Sequence, residues 1–422
     1  MHFSNVAIAT AASIVPLANA HGVALPHIVG LDVASLKGRD LLRRLESRIA
    51  GAAAHIDSPL DSRQAESKPE CGEGIGSCSA GKCCSRAGFC GTTGDYCYSP
   101  GCKYQWGPGC AENNPPAGTN TSSVPRDRIG NVTYGGDGIF RCKQPGTIAL
   151  TYDDGPQKKF TEHILDLFKQ HDAKATFFVT GNNINKGQID VYYNDVIKRM
   201  DAEGHQIASH TWTHLDLSAI SSIDRKNQIW MNEMAIRNIL GKIPTYLRPP
   251  YSSCTNTSGC QQDMAELGYH ITNFNVDTDD YNKNKPEDIQ WSKDWFKGNI
   301  TENGAKSNDS QWLTIGHDIL DQTANNLTEY MLNTIKELGY KSVTVGECLG
   351  DPKENWYRKA DGAGVSVDNN TAAANATSTT RPGDASGTSA GSPGQTGAAS
   401  ITTPASMAAI MGALLFSFAY VL

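Results

Sequence analysis

At 422 residues, with a formal net charge of −7 and a pI near 5.9, the chain has room for two or three domains and no basic footprint. Nucleic acid is excluded as a partner, because binding a polyanion needs clustered Lys and Arg. A hydrophobic fraction of 39% is low for a chain folded from end to end, so part of the length is expected to be tail or linker.

Residues 1–20 begin Met1-His2-Phe3, run apolar from Val6 to Leu17 and close on Ala18-Asn19-Ala20. That is the pattern of a secretory leader with an A-x-A cleavage site, here without Lys or Arg in its first residues. Residues 21–70 hold one helical pattern, 36–49, and read as a spacer or propeptide. Eight of the 12 cysteines, Cys71, Cys78, Cys83, Cys84, Cys90, Cys97, Cys102 and Cys110, crowd into 71–110. The other four, Cys142, Cys254, Cys260 and Cys348, are spread through the following segment. Even numbers in both regions suit disulfides in an oxidising compartment. A cytosolic zinc cluster is disfavoured, because the thiols lack paired Cys-x-x-Cys spacing. Residues 111–141 are expected to be a linker, rich in Pro, Asn, Thr and Ser from Asn113 to Pro125.

From 142 to 350 strand and helix patterns alternate. Strands are predicted at 148–152, 175–179, 206–209, 245–248, 271–276, 312–315 and 342–345. Helices are predicted at 161–170, 191–202, 224–240, 260–267 and 327–338, with a further one over 286–298. Repeated β-then-α units imply a parallel sheet, and this many imply a distorted (β/α)7-type barrel. The fold class is therefore α/β, with a small disulfide-rich module in front and a disordered Ser/Thr/Gly-rich stalk behind.

The stalk is expected over 351–397, and 398–422 ends in an uncharged apolar run from Met407 to Leu422. That run is shorter than the ~20 residues of a spanning helix. With small residues around Gly397 ahead of it, it has the layout of a GPI-attachment signal, Gly397 bearing the lipid; a tail-anchoring helix is the alternative. Sequons at Asn120, Asn131, Asn256, Asn299, Asn308, Asn326, Asn369 and Asn375 suit a glycosylated protein of the cell wall and the outer face of the plasma membrane. A monomer is expected.

In such barrels chemistry sits at the carboxyl ends of the strands. Polar clusters follow five predicted strands: Asp153-Asp154-Gly155-Pro156, His210-Thr211-Trp212-Thr213-His214, Arg248-Pro249-Pro250-Tyr251, Asp277-Thr278-Asp279-Asp280-Tyr281 and His317-Asp318. A helical turn after its strand would bring His210 and His214 to one side. With one carboxylate they make a metal site that keeps positions open. Alone, a pair at this spacing is more often surface histidines, and Asp-Asp-Gly-Pro is a common turn; each makes the other more informative. A neighbouring carboxylate raises a histidine pKa, so Asp277 could hold His317 protonated. Arg248 could lower the pKa of Asp153 and keep it ionised. The ordinary reading of both pairs is a rim salt bridge.

These five motifs, in this order, resemble carbohydrate esterase family 4, the NodB-homology polysaccharide deacetylases. The resemblance implies Asp153 as general base and His317 as general acid. It implies Asp154, His210 and His214 as ligands of one divalent metal, zinc or else cobalt. It further implies an oxyanion contact from the Tyr251 backbone N–H, with Arg248 and Asp277 as partners of Asp153 and His317. Tyr281 departs from the Trp many members carry. Residues 71–110, through Cys83-Cys84-Ser85, Gly88-Phe89-Cys90-Gly91 and Tyr96-Cys97, resemble hevein-like chitin-binding modules. That resemblance implies bridges 71–84, 78–90, 83–97 and 102–110, and sugar contacts by Ser85, Phe89 and Tyr96, with Ala87 where an aromatic is usual. The whole arrangement is similar to fungal cell-wall chitin deacetylases, which implies chitin and N-acetylglucosamine oligomers as partners and bridges 142–348 and 254–260. Left open are the same chemistry on another acetylated polysaccharide and an inactive wall-bound lectin.

Overall fold

The structure is a computed structural model that describes residues 68–360. The expected leader, the 36–49 helix, most of the stalk, Asn369, Asn375 and Gly397 lie outside the described residues. Among the described residues no helix is long and apolar enough to cross a membrane.

The barrel strands are β1 (Thr147–Asp153), β2 (Thr176–Val179), β3 (Gln206–Ser209), β4 (Tyr246–Leu247), β5 (His270–Ile271), β6 (Val276–Asp277), β7 (Trp312–His317) and β8 (Lys341–Val343). Their ladders are all parallel, in the order β5-β4-β3-β2-β1-β7-β6, with β8 also pairing β1. The strand expected over 271–276 is thus two short pieces. β5 pairs β4 and β6 pairs β7, so one interrupted segment reaches both ends of the sheet and curls it round. β1 is near-continuously buried, as a strand covered on both faces must be.

Among the described residues the longer helices that cover the sheet are α1 (Lys158–Gln170), α2 (Asn194–Ala202), α3 (Ser222–Leu240), α4 (Cys260–Glu266), α5 (Ile289–Ile300) and α6 (Thr328–Glu337). α1 buries Thr161, Ile164, Leu165, Leu167 and Phe168, one face at helical spacing. α3 starts where the Ser221 side chain accepts from Asp224 N and stops at Gly241, whose φ of 70° suits a left-handed cap. The helix predicted over 191–202 is split at Tyr193 into Ile189–Tyr192 and α2. The one predicted over 327–338 opens with a π turn, Thr323–Leu327.

Two boundaries move. Residues 111–141 are no free linker: Arg126 forms a two-pronged pair with buried Glu233 of α3 at 2.6 and 2.9 Å, and Ile139 bridges Thr272 in parallel. The ordered chain also runs past 350, because Tyr357–Lys359 pairs antiparallel with Lys242–Pro244 and buries Trp356 and Tyr357. All twelve cysteines are bridged, as 71–84, 78–90, 83–97, 102–110, 142–348 and 254–260.

The Cys142–Cys348 bridge closes a separation of 206 residues and ties the entry of β1 to the last turn of the barrel. Long closures restrict the unfolded chain most, so the Cys142→Ser/Cys348→Ser double variant is expected to lose about 2–5 kcal/mol. A thermal melt of the secreted protein checks this, and an unchanged midpoint contradicts it.

Candidate active site

Asp153 is the last residue of β1 and His317 the last of β7, and the ladder makes them direct neighbours. Asp153 is buried, with Oδ1 accepting from Arg248 Nη1 at 2.7 Å and Oδ2 lying 3.7 Å from His210 Nε2. The Arg248 pairing is as expected, but its electrical outcome is not. Burial raises the Asp153 pKa by more than Arg248 and His317 lower it, so the group sits above the ordinary carboxylate value.

Asp154 turns the opposite way, because its φ of 75° is left-handed. Its Oδ1 lies 3.1 Å from His214 Nε2 and 3.6 Å from His210 Nε2, and it is a buried oxygen without a hydrogen-bond partner. Burial pushes Asp154 up, yet the three imidazoles together hold it below its ordinary value. The histidine pair is not joined by a helical turn. Thr211 and His214 are both left-handed, at φ 70° and 65°, and this tight loop folds the second ring back on the first, centroids 4.9 Å apart.

His210 Nδ1 lies 2.7 Å from the Arg248 carbonyl, which only accepts, so this nitrogen carries the hydrogen. Burial first, then His214, hold His210 well below its ordinary pKa. The ring is therefore neutral, with the Nε2 lone pair turned toward Asp154. Three donor atoms within 4.8 Å of one another, one an orphaned buried carboxylate oxygen and one a tautomer fixed from behind, fit a single divalent cation.

On the other side, His317 Nδ1 donates to Asp280 Oδ1 at 2.7 Å, and its backbone N–H donates to Asp280 Oδ2 at 2.7 Å. Burial works against the charged ring, but Asp280 outweighs it and lifts His317 to about 10. This corrects the expected partner: it is Asp280, not Asp277. Asp279 is left-handed at φ 56°, which swings the chain so that Asp280 faces back to β7. Asp277 instead accepts from Asp279 N and the Tyr281 hydroxyl, and burial pushes it up to about 6.

Tyr251 follows Pro249-Pro250 in a left-handed conformation at φ 58°, its ring edge-on to His214 at 4.7 Å and 61% exposed. Tyr281, 45% exposed, stands edge-on to His317 at 5.4 Å. The cleft is thus walled by two tyrosines on opposite sides of the titratable groups. Asp280 was visible within its motif but its direction was not. Lys186, in the loop after β2, had no motif signal at all. It is half-buried and donates to the Asp154 and Gly155 carbonyls, both at 2.7 Å, steadying the turn that aims Asp154. Gly155 is required there, because a Cβ would meet the Asp318 carboxylate at 2.1 Å.

The sugar contacts expected in the cysteine-rich module fare unequally. Ser85 and Phe89 are buried, and Phe89 N–H donates to Ser85 Oγ, so neither offers a face to a sugar; Tyr96 is half-buried. Of the sequons within the described residues, Asn120, Asn131, Asn256 and Asn308 are exposed. Asn299 and Asn326 are half-buried, and their amides donate to Trp295 O and Gln322 Oε1.

Comparison with known proteins agrees with this cleft. The family model described as polysaccharide deacetylase matches residues 140–272. The chain belongs to the polysaccharide deacetylase family. It is 46% identical over 242 residues to the chitin deacetylase of Colletotrichum lindemuthianum, covering 57% of this chain and 92% of that one. It is 40% identical over 243 residues to a chitin deacetylase of Pestalotiopsis sp, covering 57% and 76%. The solved structure of the Colletotrichum lindemuthianum enzyme aligns with a TM-score of 0.49 at 48% identity, over 53% of this chain and 95% of that chain.

If Asp280 sets the His317 charge, Asp280→Asn is expected to bring the His317 titration down from about 10 toward the ordinary value of about 6.5. Imidazole NMR reads this directly, with circular dichroism as the check on folding; a titration still near 10 refutes it. The sign for stability follows. A raised folded pKa contributes fully below the unfolded value and fades as pH rises through about 10, so wild type and variant should converge in stability at high pH.

Proposed function

We propose that this chain hydrolyses the N-acetyl groups of chitin, giving acetate and free amino sugars. The observation that carries the proposal is the pairing of Asp153 with His317 across adjacent strands. Each is hydrogen-bonded to its own buried partner, Arg248 and Asp280, and the Asp154/His210/His214 cluster lies beside them.

Asp154, His210 and His214 would hold one divalent ion, zinc being favoured by a two-histidine, one-carboxylate set that leaves positions open, with cobalt as the alternative. When bound, such an ion polarises the acetamide carbonyl and makes water more acidic. The remaining work falls to the chain. Asp153, ionised against Arg248, takes a proton from the attacking water as the carbon–oxygen bond forms. The Tyr251 backbone N–H donates to the oxygen on which negative charge collects. His317, its Nδ1 held by Asp280, delivers its Nε2 proton to the sugar nitrogen as the carbon–nitrogen bond breaks. Without that proton the amine is a very poor leaving group. Asp277 orients Tyr281, the aromatic wall on the acid side, and does not charge His317.

The cysteine-rich module is read as a hevein-like chitin-binding unit in which Tyr96 is the sugar-facing residue. A chitin-binding unit joined to an N-acetyl hydrolase favours chitin over acetylxylan or peptidoglycan. The secretory leader, the glycosylated stalk, lipid exchange at Gly397 and a monomeric state complete the proposal of a wall-associated enzyme, and rest on sequence pattern.

Acetate release from chitin oligomers, acetylxylan and peptidoglycan tests the reading. Activity on chitin oligomers is expected to vanish with chelator and return with zinc. Asp153→Asn is expected to fall by about 10²–10⁴. Release from the other polymers but none from chitin oligomers overturns the substrate; full activity in Asp153→Asn overturns the base.

A further inference from the structure

The cysteine-rich module is docked on the loops that carry the donor cluster. The turn just past it, Ala111–Asn113, starts at Cys110, which is bridged to Cys102. The Asn113 amide donates to the Tyr104 and Gly107 carbonyls at 2.8 and 3.1 Å. The Asn114 amide donates to those of Gly109 and Cys110 at 3.0 and 2.7 Å. This turn is therefore folded back onto the module. The buried Ser99 hydroxyl also donates to buried Glu112 Oε1 at 2.8 Å, which ties the segment at Ser99 to the turn at Ala111.

Backbone carbonyls of this frame accept from two loops of the barrel. Ser99 O accepts from Ile184 N at 2.7 Å, Gly94 O from Asn185 Nδ2 at 3.1 Å and Asn114 O from Gln188 Nε2 at 3.2 Å, all in the loop after β2. Ala111 O accepts from the indole N–H of Trp212 at 2.8 Å; this fully buried residue stands between the two histidines of the cluster. The two loops are also joined to each other. Gly181 N donates to Thr211 O at 3.0 Å and Asn182 N to Trp212 O at 2.6 Å. The Trp212 ring lies so close on Gly181 that it leaves no room for a Cβ there.

These loops need holding, because their backbone is strained close to the donors. Thr211 and His214 are left-handed, and so are Ile184 and Asn185, at φ 48° and 59°. β-Branched residues such as Thr211 and Ile184 rarely tolerate this. Such conformations persist where neighbouring structure over-determines them. The loop after β2 reaches the third donor as well, since Lys186 Nζ donates to the Asp154 and Gly155 carbonyls. The module's hold thus reaches His210 and His214 through Trp212, and Asp154 through Lys186. Donors set in place by folding lose less freedom when an ion binds, so the hold bears on affinity.

We propose that the cysteine-rich module is a built-in brace of the metal centre. It holds the donor loops through the Ser99 and Ala111 carbonyls, with Trp212 as the positioning residue that carries this hold to the histidine pair. The module then acts on the chemistry with no sugar bound to it, and is more than a tether to bulk chitin.

The inference rests on the metal-site reading above, not on the choice of polymer, and the test separates the two. Zinc affinity is measured by competition with a chromophoric chelator on the metal-free full chain, at a temperature where circular dichroism shows each protein folded. Wild type is compared with Trp212→Phe, Ser99→Ala and Asn185→Ala. Trp212→Phe keeps a ring against Gly181 and removes the indole N–H. Ser99→Ala alters the module alone, and Asn185→Ala cuts the Gly94 contact at an exposed residue. Trp212→Phe and Ser99→Ala are each expected to weaken zinc binding about five-fold or more, the worth of about one hydrogen bond, with Asn185→Ala acting in the same direction. Amide exchange across 181–188 and 210–214 of the metal-free protein is expected to speed up with them. A wild type that binds no zinc sinks the metal-site reading and the brace with it. Zinc bound by wild type, with unchanged affinity in all three variants, overturns the brace and leaves the metal site standing. So does a loss confined to Trp212→Phe, which would place the effect in packing within that loop and not in the module.

Discussion

Arg248 is buried, and a guanidinium out of water is tolerated only where its donors are met. They are met from several segments at once. Nη1 donates to Thr151 Oγ1 and Asp153 Oδ1, both at 2.7 Å, Nη2 to the Asn273 carbonyl at 2.8 Å and Nε to the Thr272 carbonyl at 3.1 Å. The flat group also lies over the Phe178 ring at 4.2 Å. Residues 272–275 are where the sheet's ladder lapses between β5 and β6. Arg248 therefore takes up carbonyls that a regular strand would have bonded, and with the same side chain it neutralises the buried Asp153. The Arg248 backbone carbonyl also fixes the His210 tautomer. Closing the barrel and charging the cleft thus depend on one residue. Removing it would strand a carboxylate and two carbonyls together, a loss well beyond that of one surface ion pair.

The second constraint is backbone strain at the strand ends. Asp154, Thr211, His214, Tyr251 and Asp279 all have positive φ, and none is glycine. Each such residue costs roughly 1–2 kcal/mol, so their concentration at one rim needs compensation. Part of it is visible. Lys186 bonds the carbonyls at 154 and 155, His214 N–H donates to Thr211 Oγ1, and Asp279 N–H donates to Asp277 Oδ1. A strand continued in extended conformation would point Asp154 away from the cluster. The left-handed turn sends two adjacent carboxylates to different partners, which is what separates their electrical states.

Much of this was legible in sequence because it is periodic or local. Buried strands read as apolar runs, and the polar clusters directly behind them located the rim before any geometry was known. What could not be read depends on dihedral angles or on distant contacts. Within Asp277-Thr278-Asp279-Asp280 the residue facing His317 is decided by the turn at Asp279, and neither spacing nor charge distinguishes the candidates. The 271–276 strand looked continuous because its residues suit a strand; its interruption reflects closure of the sheet. The segment from 111 to 141 looked like a linker because its composition is polar. Arg126 is nonetheless matched by Glu233 more than a hundred residues later, a pairing no local pattern encodes. For the same reason no local pattern marks Lys186, which acts on backbone atoms of a different loop.

The cleft's chemistry follows from burial applied unequally to groups with different partners. Taken alone, desolvation would strip the charge from every ionisable group at this rim. Asp153 has one cationic partner and remains above the ordinary carboxylate value; Asp154, facing the histidines, falls below it; His210, bonded only to a carbonyl on its far side, stays neutral. His317, with Asp280 wholly enclosed behind it, keeps its proton to about 10. Environments that push neighbouring groups apart are how one site holds a base and an acid at the same pH. Here the sorting is done by which strand end each residue occupies and by the hand of the turn that follows. The chemistry is therefore only as secure as those turns. The turn between His210 and His214 is bonded from outside the barrel by the Ala111 carbonyl just past the cysteine-rich module, and the loop that places Lys186 is bonded by the Ser99 carbonyl within it. A module that sets backbone positions within the cleft has its effect on chemistry through geometry, whether or not it also holds the polymer.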